Sequence, residues 1–252
     1  NYLEIHTEIK GFTKIFFKLS SFNFVSKNLK FIFISKYLLN FFPRIKKDYL
    51  VLDDSVNLNL FKDNSKIKKQ RNTCAYFGSL TKGKGIEIIE KISKRLPEIN
   101  FHIYGDLSIS DFKDKKINKN NFHFFNYVKY NEIPKIMSKY EVMLMPYLNN
   151  VSVRSNNLDT AKYMSPLKLF EYLSMSKILI ASDLKVYSHI LKNNQNSILI
   201  KPHNINEWCL KIKYVFSNLK RLQYLKNRAL ITAKKYTWDQ RVDKILNHSE
   251  IR

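Results

Sequence analysis

The stretch TCAYFGSLTKGKGIEIIEKISKRLP, residues 73–97, decides the fold. A short apolar run opens it, a turn with three glycines follows, and isoleucines then recur at helical spacing up to Pro97. The pattern predicts a strand over Thr73–Phe77 and a helix over Gly85–Leu96. A strand, a glycine-containing turn and a helix in this order form the repeating unit of parallel α/β proteins.

The same alternation runs through most of the chain. The apolar runs predict strands at Tyr2–Ile5, Lys30–Ile34, Asp48–Leu52, Thr73–Phe77, Asn100–Tyr104, Asn121–Phe125, Val142–Met145, Lys177–Ala181 and Ser197–Ile200. Ser35 is expected to cap a helix over Lys36–Phe42, and from Asn204 onward the pattern is helical only. The predicted fold class is therefore α/β, with a Rossmann-like, doubly wound parallel sheet.

A polar stretch at 53–72 separates two units of unequal size. It is rich in Asp, Asn, Ser and Lys and poor in core residues, so it is predicted to be an interdomain linker. Residues 1–52 supply too few strands for a domain and are interpreted as the tail of one, with an N-terminal part expected before Asn1. Residues 73–235 form the complete unit, and 236–252 are expected to be a helix that crosses back toward the first unit.

The composition excludes a disordered basic tail, because 44% of the 252 residues are hydrophobic despite a net charge of +23. Such a charge suits nucleic acid, anionic lipid or an anionic substrate, and a general bias toward Lys and Asn explains it equally well. The basic clusters are dispersed and no nucleic-acid motif accompanies them, so nucleic acid is not expected as a partner, whereas an anionic membrane surface is. The clusters are Arg44–Lys47, Lys66–Arg71, Lys113–Lys119 and Lys220–Lys235.

Cysteine usage and apolar runs limit the other classes. Cys74 and Cys209 have no metal-ligand spacing and form no disulfide framework, which favours a cytoplasmic setting. The most apolar run, Phe31–Phe42, is interrupted by polar residues and is too short to cross a bilayer. The pair Asp53 and Asp54 is interpreted as a solvated turn rather than a metal site, so no metal or other cofactor is expected.

Two predicted turns follow strands and could carry chemistry. Ligands of doubly wound sheets bind beyond the carboxyl ends of the strands, and Gly78–Gly85 brings glycines and two lysines to one such turn. An ordinary turn and a phosphate site both remain open for it. In the second turn Ser165 is expected to cap a helix that begins with Pro166. Lys168 and Glu171 then form either a surface salt bridge or a site where Glu171 accepts hydrogen bonds from a ribose.

Taken together, these segments resemble the retaining glycosyltransferases of family 4, the glycosyl transferases group 1, which have the two-domain GT-B fold. The resemblance covers nearly all of residues 73–247. It rests on the order and spacing of six segments: the Gly-x-Leu-x3-Lys-Gly turn (78–85), FHIYGD (101–106), NFHFFNYV (121–128), NEIPKIMSKYEVMLMP (131–146), SPLKLFEYLSMSKILIASD (165–183) and SILIKPHNINEW (197–208). Upstream, YLEIH (2–6), FIFISKYLLNFF (31–42) and VLDDSVNLNLF (51–61) resemble the end of the family's N-terminal domain and its linker.

The resemblance implies a role for each matching residue. Lys84 would neutralise the donor pyrophosphate as a catalytic group, and His6 would face the donor sugar. The other matching positions would bind the nucleotide sugar: Gly78, Ser79, Lys82 and Gly105 at the phosphates, Tyr127 and Val128 at the nucleobase, Ser165, Pro166, Leu167 and Lys168 at the phosphates and sugar, and Glu171 at the ribose.

Three positions depart from the family pattern. Tyr163 stands where a first glutamate is usual, and Asp159 or a main-chain group is the expected substitute. Ser79 replaces a usual arginine, whose charge Lys82 or Lys168 would supply, and Ser176 replaces a usual glycine. These departures are interpreted as a subgroup trait.

The resemblance therefore implies a retaining hexosyltransferase that uses a nucleotide-diphosphate sugar and a saccharide or lipid-linked acceptor, in cell-surface polysaccharide or glycolipid assembly. Its expected location is the cytoplasm, at the inner face of the membrane. Two alternatives stay open: a non-catalytic module that binds nucleotide sugars, and a basic peripheral membrane adaptor. A GT-B epimerase would require an acid and base set that the sequence does not reveal.

Overall fold

The structure, a computed structural model, describes residues 1–9, 29–42, 45, 48–107, 120–151 and 159–250. Lys113–Lys119 and the basic residues of Arg44–Lys47, two of the predicted basic clusters, lie outside these ranges. None of the described helices combines the length and hydropathy that a bilayer crossing requires.

Two parallel sheets carry the fold. The first has three strands in the order β1-β2-β3, at Tyr2–Ile5, Lys30–Phe33 and Tyr49–Val51. The second has six strands in the order β6-β5-β4-β7-β8-β9. Their bounds are Thr73–Phe77 (β4), Asn100–Tyr104 (β5), Phe122–Phe125 (β6), Val142–Met145 (β7), Ile178–Ser182 (β8) and Ile198–Ile200 (β9). This order places β4 beside β7, where the winding direction reverses and a crevice opens beyond the strand ends.

Six α-helices are described. They are α1 (Ile86–Ser93), α2 (Ile133–Met137), α3 (Leu167–Ser174), α4 (Ile205–Ser217), α5 (Gln223–Ala233) and α6 (Trp238–Glu250). Three short 3-10 helices lie at Leu38–Phe41, Tyr130–Glu132 and Lys185–Tyr187. The predicted doubly wound α/β fold is thus confirmed, and each of the predicted strands is present within a residue or two of its expected bounds.

The core follows from the strand sequences. All residues of β7 and β8 are buried, as continuous apolar runs covered on both faces require. Helix α1 buries its isoleucines against the sheet and contacts α4, while α3 contacts α5. Burial of these helix faces stabilises the sheet whose strand ends form the crevice.

The helix predicted over Lys36–Phe42 is instead a 3-10 helix at Leu38–Phe41. The Tyr37 N–H donates to Ser35 Oγ at 3.1 Å, so Ser35 does hold the first turn. Pro43 follows directly in the sequence, and the residue before a proline avoids the α conformation. The segment is therefore too short for a regular α-helix, and a tighter turn forms.

The predicted linker at 53–72 is not the solvated segment that its polarity suggested. Val56 and Phe61 are fully buried, and the Val56 N–H donates to the Tyr236 oxygen at 2.9 Å. Asp63 accepts hydrogen bonds from the buried Lys177 at 2.7 Å and from Lys69 at 3.1 Å. Asp63 and Lys69 of this segment thus have protein partners, while the other basic residues of the segment are exposed: Lys62, Lys66, Lys68 and Arg71. The domain boundaries themselves remain predictions.

Helix α6 lies against the first sheet. The Arg241 guanidinium donates to Glu4 of β1 at 2.6 Å, and Lys30 of β2 donates to the His248 oxygen at 2.8 Å. The hydroxyl of Tyr2 lies 2.9 Å from His248 Nδ1. The last helix thus joins the first strands of the chain to the end of the second unit.

Candidate functional site

Two loops and one helix start meet at the switch point between β4 and β7. The loop after β4 carries Gly78–Gly85, and the loop after β7 carries Tyr147. The Leu148 N–H donates to the Gly83 oxygen at 2.9 Å, which ties the two loops together. Lys168, in the first turn of α3, enters from the third side. The crevice is where a doubly wound sheet binds its ligand.

Two lysine amines share this crevice with aromatic rings. The Lys168 amine is buried, has no hydrogen-bond partner among the described residues and lies 3.8 Å from the centroid of the Tyr76 ring. The Tyr147 ring lies between the two lysines, with its centroid 4.5 Å from the Lys84 amine and 5.3 Å from the Lys168 amine. Aromatic faces compensate a buried cation only in part, so the site suits a further anion.

Both lysines have lowered pKa values, because their positive charges are only partly compensated in this crevice. Burial, and next the charge of Lys84, hold the pKa of Lys168 well below its ordinary value, against the smaller opposing effect of Glu171. Burial lowers the pKa of Lys84 to about 8. A bound anion would raise both pKa values, since an opposite charge favours the protonated amines.

Glycine is required at two neighbouring turns of the site, at Gly78 after β4 and at Gly105 after β5. Gly78 has a φ of 134°, a region that other residues avoid, and a Cβ there would strike the Lys168 amine. A Cβ on Gly105 would strike the Gly78 oxygen. The Tyr76 hydroxyl donates to the Ser79 oxygen at 2.8 Å, which fixes the turn from below. The Gly78 N–H donates to the Tyr104 oxygen at 2.9 Å, and the missing side chain leaves room for the Lys168 amine beside the turn.

The start of α3 differs from its prediction. Pro166 is the N-cap and Leu167 the first helical residue, so Ser165 is not the cap. Its Oγ instead accepts a hydrogen bond from the Asp54 N–H at 2.8 Å. Ser165 is displaced because the 53–72 segment passes here and needs an acceptor for a buried amide. The first amides of a helix suit an anion because they lack intrahelical acceptors, although in α3 the Leu169 N–H already donates to the Pro166 oxygen at 2.9 Å.

Glu171 faces the inside of the site. It is buried, and the Tyr130 hydroxyl donates a hydrogen bond to it. Burial raises the pKa of Glu171, and the Tyr130 hydrogen bond and the Lys168 charge offset only part of the effect. The surface salt bridge considered for Lys168 and Glu171 is wrong, because both side chains are buried and no ion pair within 4.0 Å joins them. A second oxygen of Glu171 remains available in principle to a ribose hydroxyl.

The remaining predicted donor residues lie at the rim. Ser79 and Lys82 are exposed in the loop after β4, and Tyr127 is 71% exposed after β6. Val128 packs against the core and fixes the turn that carries Tyr127. An exposed tyrosine on an anchored turn offers a flat face to a planar ligand.

His6 lies on the first sheet, one residue after β1, and is exposed. Its Nε2 is 3.1 Å from Glu4 Oε1, and the ligand atoms of Glu4, His6 and Asp54 all lie within 4.8 Å of one another. Because Asp54 also contacts Ser165, this cluster connects the first sheet to the start of α3. Arg241 lies 2.6 Å from Glu4, so a metal ion here would meet a guanidinium.

The solvated turn expected at Asp53 and Asp54 is wrong. Asp54 is buried, and burial raises its pKa to about 6 against the lowering effect of His6 and then of Arg241. Asp53 lies 2.9 Å from His189 Nε2. The sequence did not reveal the burial of Asp54, because a run of polar residues does not show which of its side chains face the protein interior.

Tyr163 stands at the position of the first glutamate of the family pattern. Tyr163 is fully buried, and its ring lies edge-on to Phe41 at a centroid distance of 5.3 Å. One Asp159 oxygen accepts the Val151 and Ala161 amides at 3.0 Å each, and the role expected for Asp159 or a main-chain group stays a prediction. Tyr163 thus packs the second unit against the first sheet.

Sequence reasoning also missed Tyr76, Tyr130 and Tyr147. Tyr147 follows β7 directly, so its place at a strand end was a usable signal. Tyr76 lies inside a strand and resembles a core residue, and Tyr130 begins a short 3-10 helix in a polar stretch of the sequence. Nothing in the pattern of those segments distinguishes them from packing residues.

The family described as glycosyl transferases group 1 matches residues 59–230. Among curated proteins, poly(ribitol-phosphate) alpha-N-acetylglucosaminyltransferase of Staphylococcus aureus (strain COL) is 27% identical over 137 residues, which cover 53% of this chain and 25% of that protein. A crystal structure of a mutant of S. aureus TarM in complex with fondaparinux, alpha-GlcNAc-glycerol and UDP superposes with a TM-score of 0.72 at 18% identity. The match covers 99% of this chain and 50% of TarM.

HepE of Anabaena, in complex with UDP, superposes with a TM-score of 0.72 at 14% identity, covering 98% of this chain and 71% of HepE. The chain thus spans half the length of TarM and aligns with a quarter of the curated relative. These structural likenesses support the GT-B type of fold expected from the sequence. Because the family match spans more than half of the chain, the protein belongs to the glycosyl transferases group 1.

Proposed function

We propose that this chain holds the donor site of a retaining glycosyltransferase that moves a hexose from a nucleoside diphosphate sugar to a saccharide or lipid-linked acceptor. The observation that carries the proposal is the buried Lys168 amine, which has no hydrogen-bond partner and lies beside Gly78 and near Lys84. A diphosphate supplies the negative charge that two buried amines lack.

Each part of the site has a task in this reaction. Lys84, Lys168 and the first amides of α3 neutralise the diphosphate as its bond to the sugar breaks. Glu171 accepts hydrogen bonds from the ribose, and the Tyr127 turn contacts the nucleobase. His6 faces the sugar from the first sheet, connected to the phosphate end through Asp54 and Ser165.

The bond changes need no protein nucleophile. The acceptor oxygen forms a bond to the anomeric carbon while the bond from that carbon to the phosphate oxygen breaks. The acceptor proton passes to the leaving phosphate, and the new bond forms on the face from which the phosphate departs. The lysines lower the barrier because they bind the leaving group more strongly as its charge develops.

The comparisons support the choice of donor and the setting. TarM and HepE are structures with bound UDP, so UDP-sugars are the first donors to test. The curated relative is named for a polymer of ribitol phosphate, which supports a role in cell-surface polysaccharide assembly. The proposed location is the cytoplasmic face of the membrane, where the net charge of +23 favours anionic lipid.

Titration calorimetry with UDP tests the site directly. We expect Lys168→Met to weaken UDP binding by about tenfold or more, because a charge-assisted hydrogen bond contributes about 1.5–3 kcal/mol. Lys220→Met removes an exposed lysine at the turn between α4 and α5 and should leave the affinity unchanged. Equal affinity of the Lys168→Met and wild-type proteins would contradict the proposal.

Activity distinguishes the enzyme from a binding module. Incubation with a UDP-sugar and candidate acceptors should give a product whose anomeric proton coupling matches that of the donor. Binding without any turnover or donor hydrolysis favours a non-catalytic module. An absence of nucleotide affinity together with binding to anionic vesicles favours a membrane adaptor.

A further inference from the structure

A cavity of about 380 Å³ lies between the two units of the chain, apart from the lysine crevice. The 3-10 helix at Leu38–Phe41 and its neighbour Tyr37 form one wall. The opposite wall is formed by residues that follow β7 and β8 and by the segment that leads into α3. Its volume lies within the range of about 300–1,000 Å³ that ligand pockets occupy.

The cavity and the donor site share two loops. Asn149, at the cavity, follows Tyr147 by two residues, and Tyr147 contacts both lysines of the donor site. Lys162, also at the cavity, precedes Ser165 by three residues on the segment that enters α3. A ligand in the cavity therefore lies next to the loops that hold the donor.

The apolar part of the lining suits the carbon face of a sugar or polyol. Tyr37 and Phe41 supply aromatic rings, and Leu184 and Val186 supply aliphatic surface. The amides of Asn40 and Asn149 offer both donors and acceptors, as hydroxyl groups require. Apolar lining with a few polar groups is the usual composition of a small-molecule site.

The charged part of the lining is entirely positive among the described residues. Lys162 and Lys185 both line the cavity and are exposed. Within the described residues, neither has a carboxylate within 4.0 Å of its amine. A further lysine, Lys36, holds its amine 5.2 Å from the centroid of the Tyr37 ring at the same wall. These side chains leave the cavity mouth with a positive field and no internal counter-charge.

We propose that this cavity is the acceptor subsite and that it takes a phosphorylated saccharide or polyol, with the phosphate between Lys162 and Lys185. The proposal rests on the proposed transferase function, because it places the acceptor beside the donor. A neutral acceptor would need only the rings and amides, whereas the unpaired lysines match a phosphate. The hydroxyl that reacts belongs to the same molecule as the phosphate.

The experiment compares matched pairs of acceptors, ribitol against ribitol 5-phosphate and glucose against glucose 6-phosphate, with UDP-sugar as donor. We expect the phosphorylated member of a pair to have the higher kcat/KM, by about tenfold. The double variant Lys162→Glu/Lys185→Glu should abolish that preference and leave UDP affinity unchanged. The control Lys201→Glu/Lys220→Glu makes the same change of charge at exposed lysines outside the cavity lining and should keep the preference.

The failures of the two proposals can be told apart. A wild-type protein that binds no nucleotide overturns the proposed function and this inference together. A protein that binds UDP and hydrolyses UDP-sugar, but treats phosphorylated and neutral acceptors alike, overturns this inference alone. Vesicles of phosphatidylglycerol test the other source of phosphate: vesicle binding that depends on Lys162 and Lys185, without any sugar-phosphate preference, also overturns it.

Discussion

At the scale of single residues, the site is defined by what Lys168 lacks. Its amine lies among the Tyr76 and Tyr147 rings with no hydrogen-bond partner, and its neighbour Lys84 repels it. A lysine in such surroundings is easily deprotonated, because burial penalises the charged form. A bound anion would favour the protonated amine instead, so anion binding and proton binding are coupled in this crevice.

The first prediction concerns that coupling. Without ligand, Lys84 has a pKa of about 8, and the pKa of Lys168 is lowered well below its ordinary value. At a pH between these pKa values and the higher ones that the two lysines have with UDP bound, UDP binding must take up protons. We expect UDP binding at pH 8.5 to take up between about one and two protons, because both amines are largely deprotonated without ligand. Titration calorimetry in buffers with different ionisation enthalpies measures this number.

The variant Lys168→Met supplies the matched test of the coupling. It keeps the length of the side chain and removes the amine, so the number of protons taken up should fall. The control Lys220→Met should take up as many protons as the wild type. A Lys168→Met protein that takes up the same number would show that the amine is not part of the coupled site.

At the scale of elements, the 53–72 segment combines exposed basic residues with an inward-facing carboxylate, Asp63. Asp63 accepts hydrogen bonds from Lys177, which is fully buried at the start of the loop before β8, and from Lys69. Burial alone would raise the pKa of Asp63, but the hydrogen bonds and charges of the two lysines hold it below its ordinary value. The segment is thus fastened to the sheet by a buried charge cluster.

The second prediction removes that carboxylate. Asp63→Asn leaves the Lys177 amine buried without a counter-charge, which is expected to cost about 3–5 kcal/mol in the free energy of unfolding. Chemical denaturation at pH 7 measures the loss. Asp243→Asn changes an exposed carboxylate of α6 and should stay within about 0.5 kcal/mol of wild type. Equal effects of the two variants would contradict the buried role of Asp63.

The third prediction concerns Asp54 in the same segment. Its pKa is about 6 in the folded protein, above the ordinary 3.8, so the folded state binds the extra proton and stability falls as pH rises through this window. Asp54→Asn removes the free-energy cost of burying the ionised carboxylate and should stabilise the protein at pH 7 by at most about 3 kcal/mol. The gain should vanish near pH 4. Denaturation at both pH values checks the sign, and a gain independent of pH would refute it.

The fourth prediction concerns the end of α3. Ser176 has a φ of 51°, in the left-handed region where a side chain is strained. Ser176→Gly should raise the free energy of unfolding by about 0.5 kcal/mol, because the relieved strain exceeds the entropy that glycine loses on folding. Thermal unfolding measures the change. Ser217→Gly, at the end of α4 and outside that region, should destabilise the protein.

At the scale of the whole molecule, α6 couples the first sheet to the six-stranded unit. The Arg241 side chain is buried and donates to both oxygens of Glu4 on β1 and to the Asp53 oxygen. Its removal would leave the carboxylate and the first sheet without their main polar connection to α6. The position of His6 depends on the same strand.

The fifth prediction tests this coupling. Arg241→Met should increase the rate of amide hydrogen exchange in β1 and β2 by about tenfold or more, while β4 and β7 keep their protection. Arg228→Met, at an exposed position of α5, serves as the control. Unchanged exchange in β1 would show that other contacts hold the first sheet.

The elements of this fold could be predicted from the sequence because periodicity reports burial directly. The strand at Thr73–Phe77 has its expected bounds, and the helix expected over Gly85–Leu96 runs from Ile86 to Ser93, so it ends three residues early. The strand order reverses between β4 and β7, and the turns that carry Gly78 and Lys168 lie at this switch point. Contacts between distant segments could not be predicted, such as the Asp54 amide that holds Ser165 and the Tyr147 ring between two lysines.

The unpaired amine of Lys168 also has a consequence for the amount of protein that survives in a cell. Its burial penalises the empty form, and a nucleotide that supplies the missing charge stabilises only the folded chain. At a hundred times its dissociation constant such a ligand adds about 2.7 kcal/mol to folding. We therefore expect the proposed nucleotide-sugar donor to raise the resistance of the protein to proteolysis, and a shortage of that donor to lower the amount of folded chain.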